Sequence, residues 1–289
     1  MSIDRPGLYP DLDFAEYLAD PVADRSISVS GARTLLEQTP AIYLYETTHR
    51  RPDTAAFDMG HAAHAKVLGD GMEIAVIPDE LLAKDGAVST KAAKEFVADA
   101  RARGAVPIKS DVAATVDAMA DALRQHPIAG KLLEPGVGMV EQSAFWRDHD
   151  FRVWRRARYD YMREVDNRLT IVDFKTADDL TDRGLQGSIA RYGYAQQSPW
   201  YCDAAKVLGL DDDPRFLFVF QSKTAPYLVR VIELPEYWVQ IGRKRNLRAL
   251  EIYAECRETN CWPGYPNEIE SLDPPAWVMW AEEEELDFS

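Results

Sequence analysis

The segment Ile171-Val172-Asp173-Phe174-Lys175-Thr176 sets an acid and a base two residues apart behind a β-branched apolar pair. At the two-residue period of a strand, Asp173 and Lys175 project from one face and Phe174 from the other. A carboxylate at the end of a buried strand is costly unless it is paired or holds a metal. The pattern therefore reads either as a structural ion pair or as part of a reactive site. Asp160 lies thirteen residues upstream in Arg158-Tyr159-Asp160-Tyr161, and a hairpin closed over Glu164–Arg168 brings it beside Asp173. Two carboxylates with one ammonium suit a hard divalent cation such as Mg²⁺ or Mn²⁺. Glu141 falls on the preceding strand; it points into that site or onto a solvated face, and the sequence leaves both open. Gln197 and Tyr201, four apart, share a helix face. His61 and His64 are three apart on an early helix, but no glutamate lies between them and no cysteine cluster follows, so a zinc-hydrolase pair is a poor reading.

The elements that must position these residues change character near residue 136. Before it the pattern is helical: Ser30 precedes Ala32–Leu36, and Phe57–Leu68 ends at Gly69. Ser89-Thr90 caps Lys91–Arg103, and Ser110 caps Asp111–Gln125. After it come strands over Met139–Arg147, Phe151–Tyr161 and Leu169–Lys175, with Asp148-His149-Asp150 and Asp166-Asn167 as turns. A helix over Tyr192–Leu208, strands over Phe216–Gln221 and Tyr227–Glu233, and a last helix over Pro235–Arg257 complete the pattern. This predicts an α/β (α+β) fold, with a mixed central β-sheet flanked by helices behind a helical N-terminal region. Residues 1–26 read as an irregular acidic arm and 27–258 as one domain, helical over 27–135 with the sheet core over 136–258. Residues 259–289 read as a C-terminal segment with an acidic tail.

A chain of 289 residues with 46% hydrophobic and 10% aromatic content buries a sizeable core, in one large domain or at most two. Its 33 Lys+Arg face 48 Asp+Glu, for a net charge of -15, which argues against a sequence-independent nucleic-acid coat and against docking on an anionic membrane. The acidity is uneven: the first 26 and last nine residues hold nine of the excess charges, leaving about -6 for the body. Arg147, Arg152, Arg155, Arg156, Arg158, Arg163 and Arg168 crowd the hairpin around Asp160, and Arg243, Lys244, Arg245 and Arg248 lie on the last helix. The helix cluster reads as a phosphate-binding patch or as a solvated face. No apolar run of about 18 residues occurs, and no signal-peptide pattern opens the chain. Three cysteines without CxxC spacing argue against a disulfide framework or a metal cluster. A cytoplasmic protein of a reducing compartment is expected, with no membrane contact.

Taken in order, Gly60-x-x-x-His64, Glu141, Arg158-x-Asp160, Asp173-x-Lys175 and Gln197-x-x-x-Tyr201 resemble the PD-(D/E)xK nuclease superfamily. More narrowly, the set is similar to the exonuclease VIII (RecE-type) group of phage and prophage recombination exonucleases. Ile27–Ser30 leading to Thr39–Tyr43 fits that group too, and the resemblance spans residues 27–258. Tyr159 stands where the superfamily's name expects proline, and the cysteines do not supply the four ligands of its iron-sulphur branch.

The resemblance implies a restriction-endonuclease-like core and a Mg²⁺-dependent exonuclease acting on double-stranded DNA ends, with Mn²⁺ able to substitute and no iron-sulphur cluster. Digestion would run 5′ to 3′ and leave 3′ single strands for a single-strand annealing (RecT-like) partner. The implied assembly is a homo-oligomer, by family habit a ring, in a bacterial host's cytoplasm. Asp160 and Asp173 are the implied metal ligands, with His64 and the Phe174 carbonyl. Lys175 would orient or deprotonate the attacking water, its pKa depressed by the cation. Gln197 and Tyr201 would position the site, and Glu141 would be its supporting carboxylate. DNA contacts would come from Arg156, Arg158, Arg243, Lys244, Arg245 and Arg248. A binding module that kept the fold without activity, or a structure-specific endonuclease, are the alternatives.

Overall fold

The computed structural model describes residues 2–49, 55–69, 73–275 and 278; the acidic tail Glu282–Glu285 lies outside them. The described chain opens with β1 (Gly7–Tyr9), α1 (Phe14–Ala19), β2 (Ser26–Ser28), α2 (Val29–Glu37), α3 (Pro40–Thr48) and α4 (Ala55–Leu68). A small parallel pair follows, β3 (Ile74–Ile77) and, after α5 (Lys91–Ala102), β4 (Val106–Lys109). Next are α6 (Ser110–Gln125), α7 (Ala129–Leu132), β5 (Met139–Arg147), β6 (Trp154–Val165) and β7 (Arg168–Ala177). The last are α8 (Asp182–Arg191), α9 (Gln197–Val207), β8 (Arg215–Ser222), β9 (Val229–Ile232) and α10 (Glu236–Thr259).

Among the described residues the main sheet has seven strands, in the order β1-β5-β6-β7-β8-β9 with β2 added to β6. β5, β6 and β7 form an antiparallel meander, closed between β6 and β7 by Asp166 and Asn167. Both residues are left-handed, φ 53° and 60°, as a two-residue hairpin that follows the sheet's twist requires. β8 runs parallel to β7, which needs a crossover, and α8 and α9 supply it. β7 and β8 alternate between two cores. Ile171, Phe216, Phe218 and Phe220 join Trp146, Trp200 and Tyr253 on one side; Val172, Phe174, Leu217 and Val219 join Met119 and Leu123 of α6 on the other. The sheet is therefore covered on both faces. Trp146 and Trp200 are fully buried, and each removes about 200 Å² from water, roughly 5 kcal/mol before entropy is subtracted. No helix among the described residues is long and apolar enough to cross a membrane.

Several expectations are corrected. The N-terminal arm is folded: β1 pairs with β5, and Ile3, Leu12, Tyr17 and Val22 pack on Phe145 and Trp154. Apolar residues placed among its acids and prolines decide this, because β5 otherwise presents an open edge. Ser28 rather than Ser30 caps α2, accepting the Gly31 N–H at 3.2 Å. The Ser110 hydroxyl donates to Asp79 at 2.7 Å and caps no helix. β6 starts at Trp154 rather than Phe151, since Asp148 accepts the N–H groups of Asp150 and Phe151, each at 3.1 Å, and holds them in a turn. The helix expected over 192–208 is broken at Gly193, φ 63°, which leads into a 3₁₀ turn, Tyr194–Gln196, ahead of α9. α8 escaped notice because it holds two glycines and buries only Leu185 and Ile189.

Candidate active site

The candidate residues meet where strand pairing lapses. The β5–β6 ladder runs from Met139↔Met162 to Arg147↔Trp154 but omits Glu141↔Asp160. The β6–β7 ladder stops at Tyr161↔Val172, one step short of Asp160↔Asp173. The same edge of β6 is taken by β2 only at Trp154–Arg156. Glu141, Asp160 and Asp173 thus stand in line across three adjacent strands, at the place where backbone partners are missing. Asp160 Oδ2 fills one gap by accepting the Phe174 N–H at 2.9 Å. Glu141 has φ 54°, a left-handed conformation that strains a side chain with a Cβ.

Helix α4 brings His64 to this point. Its Nδ1 lies 3.2 Å from Glu141 Oε1 and its Nε2 lies 3.2 Å from Asp160 Oδ2. Lys175 Nζ is 2.5 Å from Asp173 Oδ2 and 5.3 Å from the Tyr194 ring centroid. Gln197, at the start of α9, donates Nε2 to Asp173 Oδ1 at 3.0 Å, while its own Oε1 is buried without a hydrogen-bond partner among the described residues. Arg158 donates Nε to Glu141 at 2.5 Å, and its other end to Ser143 Oγ at 2.6 Å and the Leu12 carbonyl at 2.9 Å. The N-terminal segment therefore helps to fix the guanidinium that fixes Glu141.

Why Gln197 arrives here is a matter of close packing behind it. The 3₁₀ turn ahead of α9 lies against α10 at Gly242, where a Cβ would come within 1.8 Å of the Ala195 carbonyl oxygen. Asn246 of α10 then bonds the turn twice, accepting from Gln196 Nε2 at 3.0 Å and donating to the Gln196 carbonyl at 2.9 Å.

Burial and like charge set the protonation of the cluster. Burial pushes Asp173 up to about 6; Lys175 opposes that rise and Asp160 adds to it. Burial also raises Asp160, but His64, Lys175 and the Phe174 N–H outweigh it and hold that carboxyl below its usual range. Glu141 is raised, chiefly by burial. Burial disfavours the charged form of His64, yet Asp160 and Glu141 raise its pKa above the ordinary value. For Lys175, burial is overcome by Asp173 and then Asp160, so the ammonium is held more tightly than in a free lysine. The expected depression of the lysine is thus opposed by the protein's own carboxylates.

His64, Glu141 and Asp160 each offer a donor atom within 4.8 Å of one another. Two carboxylates and an imidazole form a mixed oxygen–nitrogen set that fits a divalent cation. Glu141 joins this set in the place expected of Asp173, which instead engages Lys175 and Gln197. Phe174 contributes its N–H to Asp160, and its backbone lies in the β7–β8 ladder opposite Val219. Tyr201 stays in the core, edge-on to Tyr159 at 5.3 Å and Phe216 at 5.8 Å. Burial raises its hydroxyl pKa well above the usual value, helped by Tyr17, Asp173 and Asp160. His61 packs against the Phe14 ring at 5.8 Å.

Most of the expected DNA contacts are engaged elsewhere. Arg156 is paired with Asp20 at 2.8 Å and bonded to Ser26. On α10, Arg243 pairs with Asp203, Arg245 with Glu37 and Arg248 with Glu251, at 2.9, 2.9 and 3.0 Å. The helix that looked uncompensated in sequence is paired with Asp203 and Glu37 from distant segments and with Glu251 one turn along α10; Lys244 is exposed. Arg158, read as a DNA contact, was missed as the residue that holds Glu141, although its position two before Asp160 was the available signal.

Residues 28–275 match the family described as a PDDEXK-like domain of unknown function, DUF3799. A search of curated proteins gives no significant match. Among solved structures, a protein from Eubacterium rectale named as a candidate exonuclease superposes with a TM-score of 0.60 at 11% identity, over 94% of this chain and 97% of that one. At that identity the likeness shows the fold. The structure of SSO0001 is more distant, with a TM-score of 0.35 at 11% identity over 82% of this chain and 76% of that one. With the family match covering most of its length, and with acids, lysine and histidine gathered on a mixed sheet, the chain belongs to the PDDEXK-like DUF3799 family.

Proposed function

We propose that this protein is a metal-dependent DNA nuclease, acting as an exonuclease on the ends of linear double-stranded DNA with Mg²⁺, or Mn²⁺ in its place. The observation that carries the reading is the alignment of Glu141, Asp160 and Asp173 with His64 and Lys175 at one lapse in the sheet. A cation held by His64, Glu141 and Asp160 would supply Lewis-acid activation of the phosphodiester and of a water. Lys175, kept protonated by Asp173, acts as a fixed positive donor for charge developing on the phosphate oxygens. Asp173 and Gln197 hold Lys175 and the start of α9 in place, and Arg158 orients Glu141. In the fuller reading the products are 3′ single strands from 5′-to-3′ digestion, passed to a single-strand annealing protein, by a homo-oligomer that encircles its substrate.

End-labelled linear duplex and closed circular DNA, each with Mg²⁺, Mn²⁺ or chelator, test this. Wild type should shorten the linear duplex only with a divalent cation, and Asp160→Asn and Lys175→Met should each lose at least about a hundredfold in rate. Activity that survives chelation or these substitutions refutes the mechanism. Cutting of closed circles makes the protein an endonuclease, and inactivity on all substrates makes it a binding module.

A further inference from the structure

At the opposite end of the β5–β6 hairpin a groove of about 400 Å³ opens between residues 24–25, the turn after β5 and the end of α10. Four arginines line it, Arg25, Arg147, Arg152 and Arg257, against two acids, Asp24 and Glu258. A locally positive groove is unexpected in a chain of net charge -15. Arg243, Arg245 and Arg248, earlier on α10, each have a carboxylate at 3.0 Å or less; the groove arginines, Arg257 at the end of the same helix among them, do not. Arg25 donates to the neutral Thr47 hydroxyl at 2.8 Å, and Arg257 donates to the Asp24 backbone carbonyl. Arg147 stands 3.6 Å from the Asp24 carboxylate, beyond hydrogen-bond reach, and Arg152 has no ion-pair partner among the described residues.

Backbone strain marks the same place. Apart from asparagines and aspartates, which tolerate the left-handed region, the non-glycine residues with positive φ among the described residues are Glu141, Arg25, Arg152 and Tyr227. Glu141 belongs to the acid cluster, and Arg25 (φ 55°) and Arg152 (φ 56°) both line the groove. Each costs about 1 kcal/mol or more that glycine would avoid. Strain of this kind, when it gathers at one surface, points to function there.

We propose that the groove is a second phosphate-binding site, which takes phosphate groups of a nucleic-acid strand. Guanidiniums with spare forked donors match phosphate oxygens bidentately. Trp154 at the groove and Asp160 in the acid cluster lie on one strand, about 20 Å apart at the usual rise, a span of about six nucleotides along a duplex strand. The identity of the ligand as nucleic acid rests on the nuclease reading above; the phosphate chemistry rests on the groove alone.

The test is fluorescence anisotropy on a labelled duplex of about 30 base pairs, with chelator to prevent hydrolysis, over a salt series. The Arg147→Ala/Arg152→Ala variant should bind on the order of tenfold more weakly at about 100 mM salt, and its log-log salt slope should fall by about 2. Arg147→Lys/Arg152→Lys should keep the slope, and thermal melting of both variants controls for folding. Calorimetry with inorganic phosphate and with adenosine monophosphate forms the second arm. If wild type binds these, the alanine variant does not and duplex affinity is unchanged, the ligand is a small phosphate and the strand assignment is overturned. Wild-type affinity and slope in the variant, with no phosphate binding by wild type, overturn the site altogether. Binding differences of the expected size in a protein that hydrolyses no DNA would refute the nuclease reading and leave the groove standing.

Discussion

Replacing Gly242 by alanine sets two effects of opposite sign against each other. In the middle of α10 the exchange should stabilise the helix by about 1 kcal/mol through backbone entropy. The new Cβ, however, would lie 1.8 Å from the Ala195 oxygen, 2.5 Å from the Ala195 carbonyl carbon and 3.0 Å from the Gln196 nitrogen. All three are backbone atoms that cannot rotate away, so helix and turn must separate by about 1.5 Å to restore ordinary contact. Overpacking of that kind costs about 2–3 kcal/mol. Loosening the two Gln196–Asn246 hydrogen bonds adds about 1 kcal/mol for each. The net expectation is a loss of about 3 kcal/mol, or roughly 6 °C in melting temperature for a domain of this size. Gly187→Ala is the matched control: it lies on the exposed face of α8, a Cβ there meets nothing within 4 Å, and it should gain up to about 1 kcal/mol. Urea unfolding followed by tryptophan fluorescence measures both. Because the turn carries Gln197 to Asp173, Gly242→Ala should also weaken the Lys175–Asp173 arrangement and any hydrolysis that depends on it. A Gly242→Ala protein as stable as the Gly187→Ala control refutes the packing argument.

The acid cluster makes stability fall with rising pH in the metal-free protein. His64 has a raised pKa, so its contribution is complete below about pH 6.5 and fades as pH climbs through the folded value. Asp173, raised to about 6 from 3.8, is protonated in both states below about pH 4, and above about pH 6 its buried charge weighs fully on the fold. Melting in chelator should therefore drop between pH 5 and pH 8 by an amount on the order of 2 kcal/mol, and Asp173→Asn should flatten the slope; a wild-type profile that is level or rising contradicts the assignment. Arg156 and Arg158, two apart on β6, should behave oppositely. Arg156→Met should cost about 3 kcal/mol of stability by stranding Asp20 while leaving divalent-cation affinity unchanged. Arg158→Met should weaken that affinity, read by calorimetry, by about 10-fold or more through release of Glu141; equal effects from both would show that Arg158 does not orient Glu141.

How much of this was legible in the sequence depended on whether the information was local. The meander from Met139 to Lys175 was readable because alternation and the Asp166-Asn167 turn are written within a few residues of where they act. The Asp173–Lys175 pair followed from the strand period alone. The roles of Arg156, Arg158, Arg243, Arg245 and Arg248 were not readable, because their partners come from Asp20, Glu141, Asp203, Glu37 and Glu251, and four of those five are far away along the chain. Charge counting along a segment cannot see neutralisation across the fold. The same limit hid the N-terminal strands, whose partners lie more than a hundred residues later. Glu141 was ambiguous for another reason: its direction is set by a left-handed backbone angle, which a glutamate does not advertise.

Those N-terminal pairings also govern the order of events during synthesis. Residues 7–9 and 26–28 leave the ribosome well before the strands that receive them, 143–145 and 154–156. At about 5–20 residues per second the wait is on the order of ten seconds. Through that interval Ile3, Tyr17, Val22 and Ile27, all buried at the end, have no sheet to rest on. Contacts so remote in sequence form late and slow the approach to the native state. Arg158, which donates to the Leu12 carbonyl as well as to Glu141, ties completion of the acid cluster to docking of the N-terminal segment. An acid cluster competent to hold a cation would then appear only once β1 and β2 have found their partners in β5 and β6.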